Sequence, residues 1–252
     1  MDEAILKQRM NYQYLELIKR TLNNSIYLGT DSSACNKEFY ENHEWKVPRS
    51  CIPHTLCNKE QLDFLGDIMS LLVDSEVNGD FLEVGVWRGG VSIFIKAFLK
   101  VCDIDSKVYL ADTFSGIPYS SSKYPYPNDV VDSWEDRWEA SLDEVKEHFR
   151  RYNLLDSSVC FLEGEISSSL ISPPFQSLAL ARLDVDSYES YMNALINVYP
   201  RMADGGCIIF DDWHLTSCRD AVNDFIKNHN ITVNIKEEMR GKKVAAHFFV
   251  KR

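Results

Sequence analysis

The chain has 252 residues, 45% hydrophobic and 26% charged, with 38 acidic side chains against 27 basic ones and a formal net charge of −11. That length and apolar content are enough for one full α/β core. The acidic balance excludes nucleic acid as the expected partner, and no apolar run reaches the ~18–20 residues that cross a bilayer.

The N-terminal stretch MDEAILKQRMNYQYLELIKR is polar and amphipathic, with none of the apolar h-region of a cleaved signal peptide. Its spacing predicts a helix over residues 1–25 with Ile5, Met10, Tyr14, Leu15, Leu17 and Ile18 roughly on one face. Residues 26–58 read as irregular, so 1–58 is expected to be an N-terminal helical extension covering cofactor or substrate. A second domain, 59–252, opens on a helix from Lys59 to about Asp74. Strand–turn–helix units follow: strand 81–85 and helix 91–100, then strand 107–114. The next stretch, rich in proline and aromatics, is too polar for a core element. Its Tyr124, Tyr126, Trp134 and Trp138 could stack on a flat acceptor or pack as a lid. Helix 142–153, strands 158–164 and 178–186, helix 187–202, a turn at Asp204-Gly205-Gly206, strand 207–212 and helix 218–229 complete the alternation. Two last strands around Arg240-Gly241-Lys242 read as a hairpin. This order predicts a mostly parallel sheet covered by helices on both faces, with one antiparallel strand at the end and ligands beyond the carboxyl ends of the strands. The seven cysteines, Cys35, Cys51, Cys57, Cys102, Cys160, Cys207 and Cys218, are scattered without a CxxC. They predict reduced thiols in a cytoplasmic protein, not a disulfide framework or a zinc site.

The segment Phe81-Leu82-Glu83-Val84-Gly85-Val86-Trp87-Arg88-Gly89-Gly90 is a strand running through a glycine turn into a helix N-terminus. Glycines there allow close approach of a ligand to the backbone. The spacing is neither a P-loop nor GxGxxG. Glu83 opposes a pyrophosphate and suits an ammonium, which favours S-adenosylmethionine over a dinucleotide. Asp112, ending the next strand, suits a ribose diol; alone it reads equally well as a turn residue.

Asp184 and Asp186 end one strand, and as residues i and i+2 their side chains share a face. Asp211 and Asp212 end the next. Carboxylates converging on one crevice repel unless a cation lies among them. Oxygen ligands without a Cys or His cluster point to Mg²⁺, with Ca²⁺ or Mn²⁺ as alternatives. Singly, each aspartate would be read as a helix cap. His214 follows as a candidate base, substrate contact or plain surface residue.

Together GDFLEVGVWRGG, VYLADTFSGIP, LDVDSYES and GGCIIFDDW resemble the macrocin O-methyltransferase family, a Mg²⁺-dependent group with the Rossmann-like class I methyltransferase fold and a seven-stranded sheet. The resemblance implies methyl transfer from S-adenosylmethionine to a sugar hydroxyl on a glycosylated natural product. It implies Asp184, Asp211 and Asp212 as metal ligands and Asp186 as general base, with His214 as the competitor. It places Thr55, Glu83, Gly85, Gly89, Asp112, Ser115, Gly164, Glu165 and Asp184 around the cofactor. The family often has Asp-Gly-Asp-Leu-Tyr at 184–188 and Asp-Asp-Tyr at 211–213, and its C-terminal strand is rich in Trp where this chain has AAHFFVKR. The second and third departures lie near the acceptor pocket. Mg²⁺ chemistry calls for a vicinal diol or a catechol-like pair, so a phenol O-methyltransferase is the second enzyme reading. A non-catalytic scaffold that keeps the fold is the third reading. A homodimer through the N-terminal helix is left open.

Overall fold

The computed structural model describes residues 3–28, 52–118 and 138–252. The strands are Asp80–Val84 (β1), Val108–Asp112 (β2), Val159–Glu163 (β3), Leu178–Leu183 (β4), Met202–Phe210 (β5), Lys236–Arg240 (β6) and Lys243–Val250 (β7). The helices are Glu3–Leu22 (α1), Ser25–Leu28 (α2), Lys59–Asp74 (α3), Gly90–Val101 (α4), Leu142–Arg151 (α5), Ile166–Ser169 (α6), Tyr188–Val198 (α7) and Thr216–Asn228 (α8). One sheet results, in the order β3-β2-β1-β4-β5-β7-β6. Its first five strands run parallel, and β7 pairs antiparallel with both β5 and β6. The strand order and directions give the expected mostly parallel sheet with one antiparallel strand near its end.

Period-two alternation feeds two cores. On one face Phe81, Leu110, Leu180 and Ile209 pack with Leu65 of α3, Phe94 of α4, Phe149 of α5 and the end of α1. On the other, Leu82, Val84, Leu183, Ile208 and Phe210 pack with Tyr191, Leu195, Val222 and Phe225 of α7 and α8. Every residue of β4 is buried, as expected for a central parallel strand. Arg182 breaks its apolar run. A capping box starts α3: Asn58 accepts from the Gln61 N–H at 2.9 Å, and Gln61 accepts from the Asn58 N–H at 2.9 Å.

Four readings of the sequence need correction. The first helix ends at Leu22 and restarts at Ser25, because Asn24 takes φ 60°, a conformation asparagine tolerates. Its packed residues are Tyr14, Leu15, Ile18 and Leu22, whereas Ile5, Met10 and Leu17 face solvent. Asp204-Gly205-Gly206 is not a turn but part of β5, which passes through it where the β4–β5 register shifts. β4 ends at Leu183 and β5 at Phe210, so all four aspartates lie in the loops beyond the strands, and the alternation argument for Asp184 and Asp186 does not apply. Tyr124, Tyr126, Trp134, Cys35 and Cys51 lie outside the described residues. The five other cysteines are free thiols. No described helix is long and apolar enough to cross a membrane.

Candidate active site

The carboxyl ends of β1, β2, β4 and β5 open onto a cavity of about 510 Å³. Its polar side holds Glu83, Asp112, Asp184, Asp186, Asp211, Asp212 and Arg182, and its apolar side includes Val86, Trp87, Ile117, Pro118, Trp138 and Ile166.

The glycine turn is shaped by its neighbours. Gly85 has φ +82°, and a Cβ on it would lie 1.7 Å from the Asp184 carbonyl oxygen; no other residue fits this crossing of β1 and β4. Asp112 organises the same turn. Its Oδ2 accepts from the Val86 and Trp87 N–H groups at 2.6 and 3.1 Å, and its Oδ1 accepts from the Phe114 N–H at 2.9 Å. Over the turn lies segment 52–57, tied down by Arg88. The Arg88 Nε donates to the Pro53 carbonyl at 3.2 Å, and its guanidinium pairs with Glu144. The Gly90 N–H donates to the His54 carbonyl at 3.0 Å. Burial pushes the His54 imidazole down to about 3, with His148 and Arg88 adding to the shift. His54 is therefore a neutral packing group here. Thr55 is buried, and its hydroxyl accepts from the Cys57 N–H at 3.1 Å.

Asp212 is the anchor of the metal-like corner. It is 3% exposed, and its Oδ2 accepts from the N–H groups of Val185 and Asp186 at 3.0 and 3.1 Å. The Tyr191 hydroxyl lies 3.1 Å from the same oxygen and 2.9 Å from the Leu183 carbonyl oxygen, and it accepts from the Asp212 N–H at 3.2 Å. This set bends the chain after β4 and holds Asp186 at φ 56°, in the left-handed region that non-glycine residues seldom take. The turn brings one carboxylate oxygen each from Asp184, Asp186 and Asp212 within 4.8 Å of one another. Burial, then the neighbouring Asp184, push Asp186 up to about 7. Burial and the crowding of carboxylates push Asp184 and Asp212 well above the usual range.

Arg182 is the residue that sequence reasoning missed. It lies beside Glu83 in the β1–β4 register and is 5% exposed. Its Nη1 is 2.8 Å from both Glu83 and Asp184, and its Nη2 is 2.6 Å from Asp211 and 3.4 Å from the Cys57 sulfur. Ser92 also donates to Glu83. Burial still pushes Glu83 up to about 7 against these partners, because one guanidinium is shared among three carboxylates. A charge in the middle of LALARL, otherwise wholly apolar, was the available signal: a buried cation requires buried anions.

Of the expected cofactor residues, Thr55, Glu83, Gly85, Asp112 and Asp184 line the cavity, and Gly89, Ser115, Gly164 and Glu165 do not. Gly89 meets α5 instead: a Cβ there would lie 2.9 Å from Val145. Ser115 is exposed. Gly164 and Glu165 lead into α6, whose Ile166 reaches the cavity. Asp186, Asp211 and Asp212 line it beside Asp184, and Arg182 pairs with both Asp184 and Asp211. His214 lies at the exposed rim.

A family model described as Macrocin-O-methyltransferase (TylF) matches residues 40–241. The chain is 36% identical over 236 residues to the mycinamicin III 3''-O-methyltransferase of Micromonospora griseorubida, covering 89% of this chain and 92% of that one. It is 34% identical over 233 residues to the 8-demethyl-8-(2,3-dimethoxy-alpha-L-rhamnosyl)-tetracenomycin-C 4'-O-methyltransferase of Streptomyces olivaceus, covering 89% and 88%. The solved structure of the O-methyltransferase NovP matches with a TM-score of 0.81 at 29% identity, over 96% of this chain and 99% of that one.

Proposed function

The chain belongs to the macrocin O-methyltransferase family of S-adenosylmethionine-dependent O-methyltransferases, and from that premise we propose that it methylates a sugar hydroxyl of a glycosylated natural product in a Mg²⁺-dependent reaction. The relatives named for methylation of mycinamicin III and of a rhamnosyl tetracenomycin support the glycoside acceptor. The observation that carries the metal is charge: Glu83, Asp184, Asp186, Asp211 and Asp212 face one cavity, and among the described residues Arg182 is the cation paired with them. Three of these carboxylates already converge, and they offer the hard oxygen donors that suit Mg²⁺.

Asp184, Asp212 and one carboxylate oxygen of Asp186 would hold the ion, which would supply Lewis acidity to an acceptor hydroxyl and suit a vicinal diol. Asp211, expected from the resemblance as a ligand, lines the same cavity and shares Arg182 with Asp184. Thr55, Glu83, Gly85 and Asp112 would hold S-adenosylmethionine, which supplies an electrophilic sulfonium methyl group. The other carboxylate oxygen of Asp186 would take the proton of the acceptor hydroxyl. Trp87, Trp138, Ile117 and Pro118 wall the cavity and help to exclude water. The outward face of α1, with Ile5, Met10 and Leu17 exposed, suits a homodimer contact. Scattered free thiols suit a cytoplasmic enzyme.

The test is turnover on a panel of glycosylated acceptors and simple catechols, with S-adenosylmethionine, in chelator and in Mg²⁺. Methylation of a glycoside that stops with chelator and returns with Mg²⁺ is expected. Full turnover in excess chelator refutes the metal, and turnover on catechols alone refutes the sugar acceptor.

A further inference from the structure

Arg182 is more than a structural ion pair. Its guanidinium, almost fully buried, occupies the point where Glu83, Asp184 and Asp211 meet. Asp184 is the shared member: it binds Arg182 through Oδ2 and also belongs to the converging set with Asp186 and Asp212. A divalent cation entering that set therefore meets a carboxylate already neutralised and a fixed positive charge one side chain away. In a buried site of low dielectric, both effects oppose cation binding. The same fork holds Asp184 and Asp211 in place from one planar group, which a point charge cannot do.

We propose that Arg182 is a tethered competitor cation. It weakens divalent-metal binding while it positions Asp184 for turnover, so that the two properties respond to its loss with opposite signs. The inference rests on the metal reading above. A merely structural arginine would behave otherwise, since its removal would loosen the carboxylates and weaken metal binding and turnover together.

The experiment is calorimetric titration of Mg²⁺ into the wild type, Arg182→Met and the double variant Glu83→Gln/Arg182→Met, with single-turnover methylation measured on the same preparations. Arg182→Met should bind Mg²⁺ at least about tenfold more tightly, from the loss of one buried positive charge, while turnover falls by about tenfold or more. The double variant loses one charge of each sign, so its Mg²⁺ affinity should return to within about threefold of wild type. Wild type that binds Mg²⁺, with Arg182→Met binding it equally or less tightly, overturns the proposal and leaves the metal reading standing. Wild type that neither binds nor needs Mg²⁺ overturns both. Should Arg182→Met fail to fold, the double variant decides: affinity near wild type supports the competitor role, and a loss of tenfold or more (about 1.4 kcal/mol) overturns it.

Discussion

Replacing Tyr191 by Phe removes one oxygen atom from the support beneath the carboxylates and leaves the ring in place. Tyr191 is fully buried, and its hydroxyl serves the Leu183 carbonyl, the Asp212 carboxylate and the Asp212 N–H. Without it the Asp212 N–H loses its acceptor inside the protein, and Asp212 Oδ2 keeps two donors, Val185 and Asp186, where it had three. An orphaned buried donor costs ~1–3 kcal/mol, and a hydrogen bond to a charged group contributes ~1.5–3 kcal/mol; with partial relaxation the sum is ~2–4 kcal/mol. For a chain of this size that lowers the melting temperature by about 5–12 °C, read by circular dichroism. Mg²⁺ affinity should fall about tenfold, since an oriented ligand has lost a supporting contact. Tyr191 does not line the cavity, so affinity for S-adenosylhomocysteine should not move. A melting temperature within about 2 °C of wild type, or a loss confined to S-adenosylhomocysteine binding, would refute this account of how Asp212 is held.

Three further outcomes follow from the geometry. Asp186→Asn should lose about 10²–10⁴-fold in single-turnover rate, and His214→Ala, at the exposed rim, less than about tenfold; the reverse ranking makes His214 the base. Asp112→Ala should weaken S-adenosylhomocysteine binding by ~1–3 kcal/mol and lower the melting temperature, because Asp112 also anchors the Val86 and Trp87 amides; unchanged calorimetric affinity would leave it a purely structural residue. Glu83 and Asp186 are pushed up to about 7 in the metal-free fold, so between their unfolded values near ~4 and ~7 the native state binds protons that the unfolded chain does not. Their contribution to stability is therefore full at low pH and lost as pH rises through about 7. Melting of the metal-free protein should fall between about pH 6 and pH 8, with Mg²⁺ stabilising more at pH 8; a rise would overturn the sign.

Much of the fold was legible because its signals are local. The helix expected from Lys59 to about Asp74 is α3, Lys59–Asp74, and Leu178–Leu183 reads as a buried strand from its apolar run. The alternation of such units, closed by a hairpin at Gly241, gives the sheet. The aspartates could be counted from the sequence but not arranged. Whether Asp211 or Asp186 joins Asp184 and Asp212 depends on a turn with positive φ at Asp186 and on a guanidinium from β4, and neither has a periodic signature. Gly89 shows the converse error. It stands in the glycine motif, yet α5, more than fifty residues later, explains its missing side chain. Gly205 and Gly206 look like a turn in isolation, and they stay in β5 because the neighbouring strands hold them there.

Trp87, Phe114 and Asp186 adopt positive φ at 46°, 53° and 56°, just beyond the ends of β1, β2 and β4. Left-handed backbone at such residues costs of order 1 kcal/mol each, and glycine would relieve it. An engineer seeking thermostability would find these three positions first. Yet glycine would delete a wall of the cavity at Trp87 and a carboxylate at Asp186. At Phe114 it would remove a buried ring in edge contact with Phe161. The rim of the cavity thus sets a ceiling on how far the protein can be stabilised by backbone substitution there without altering the cavity.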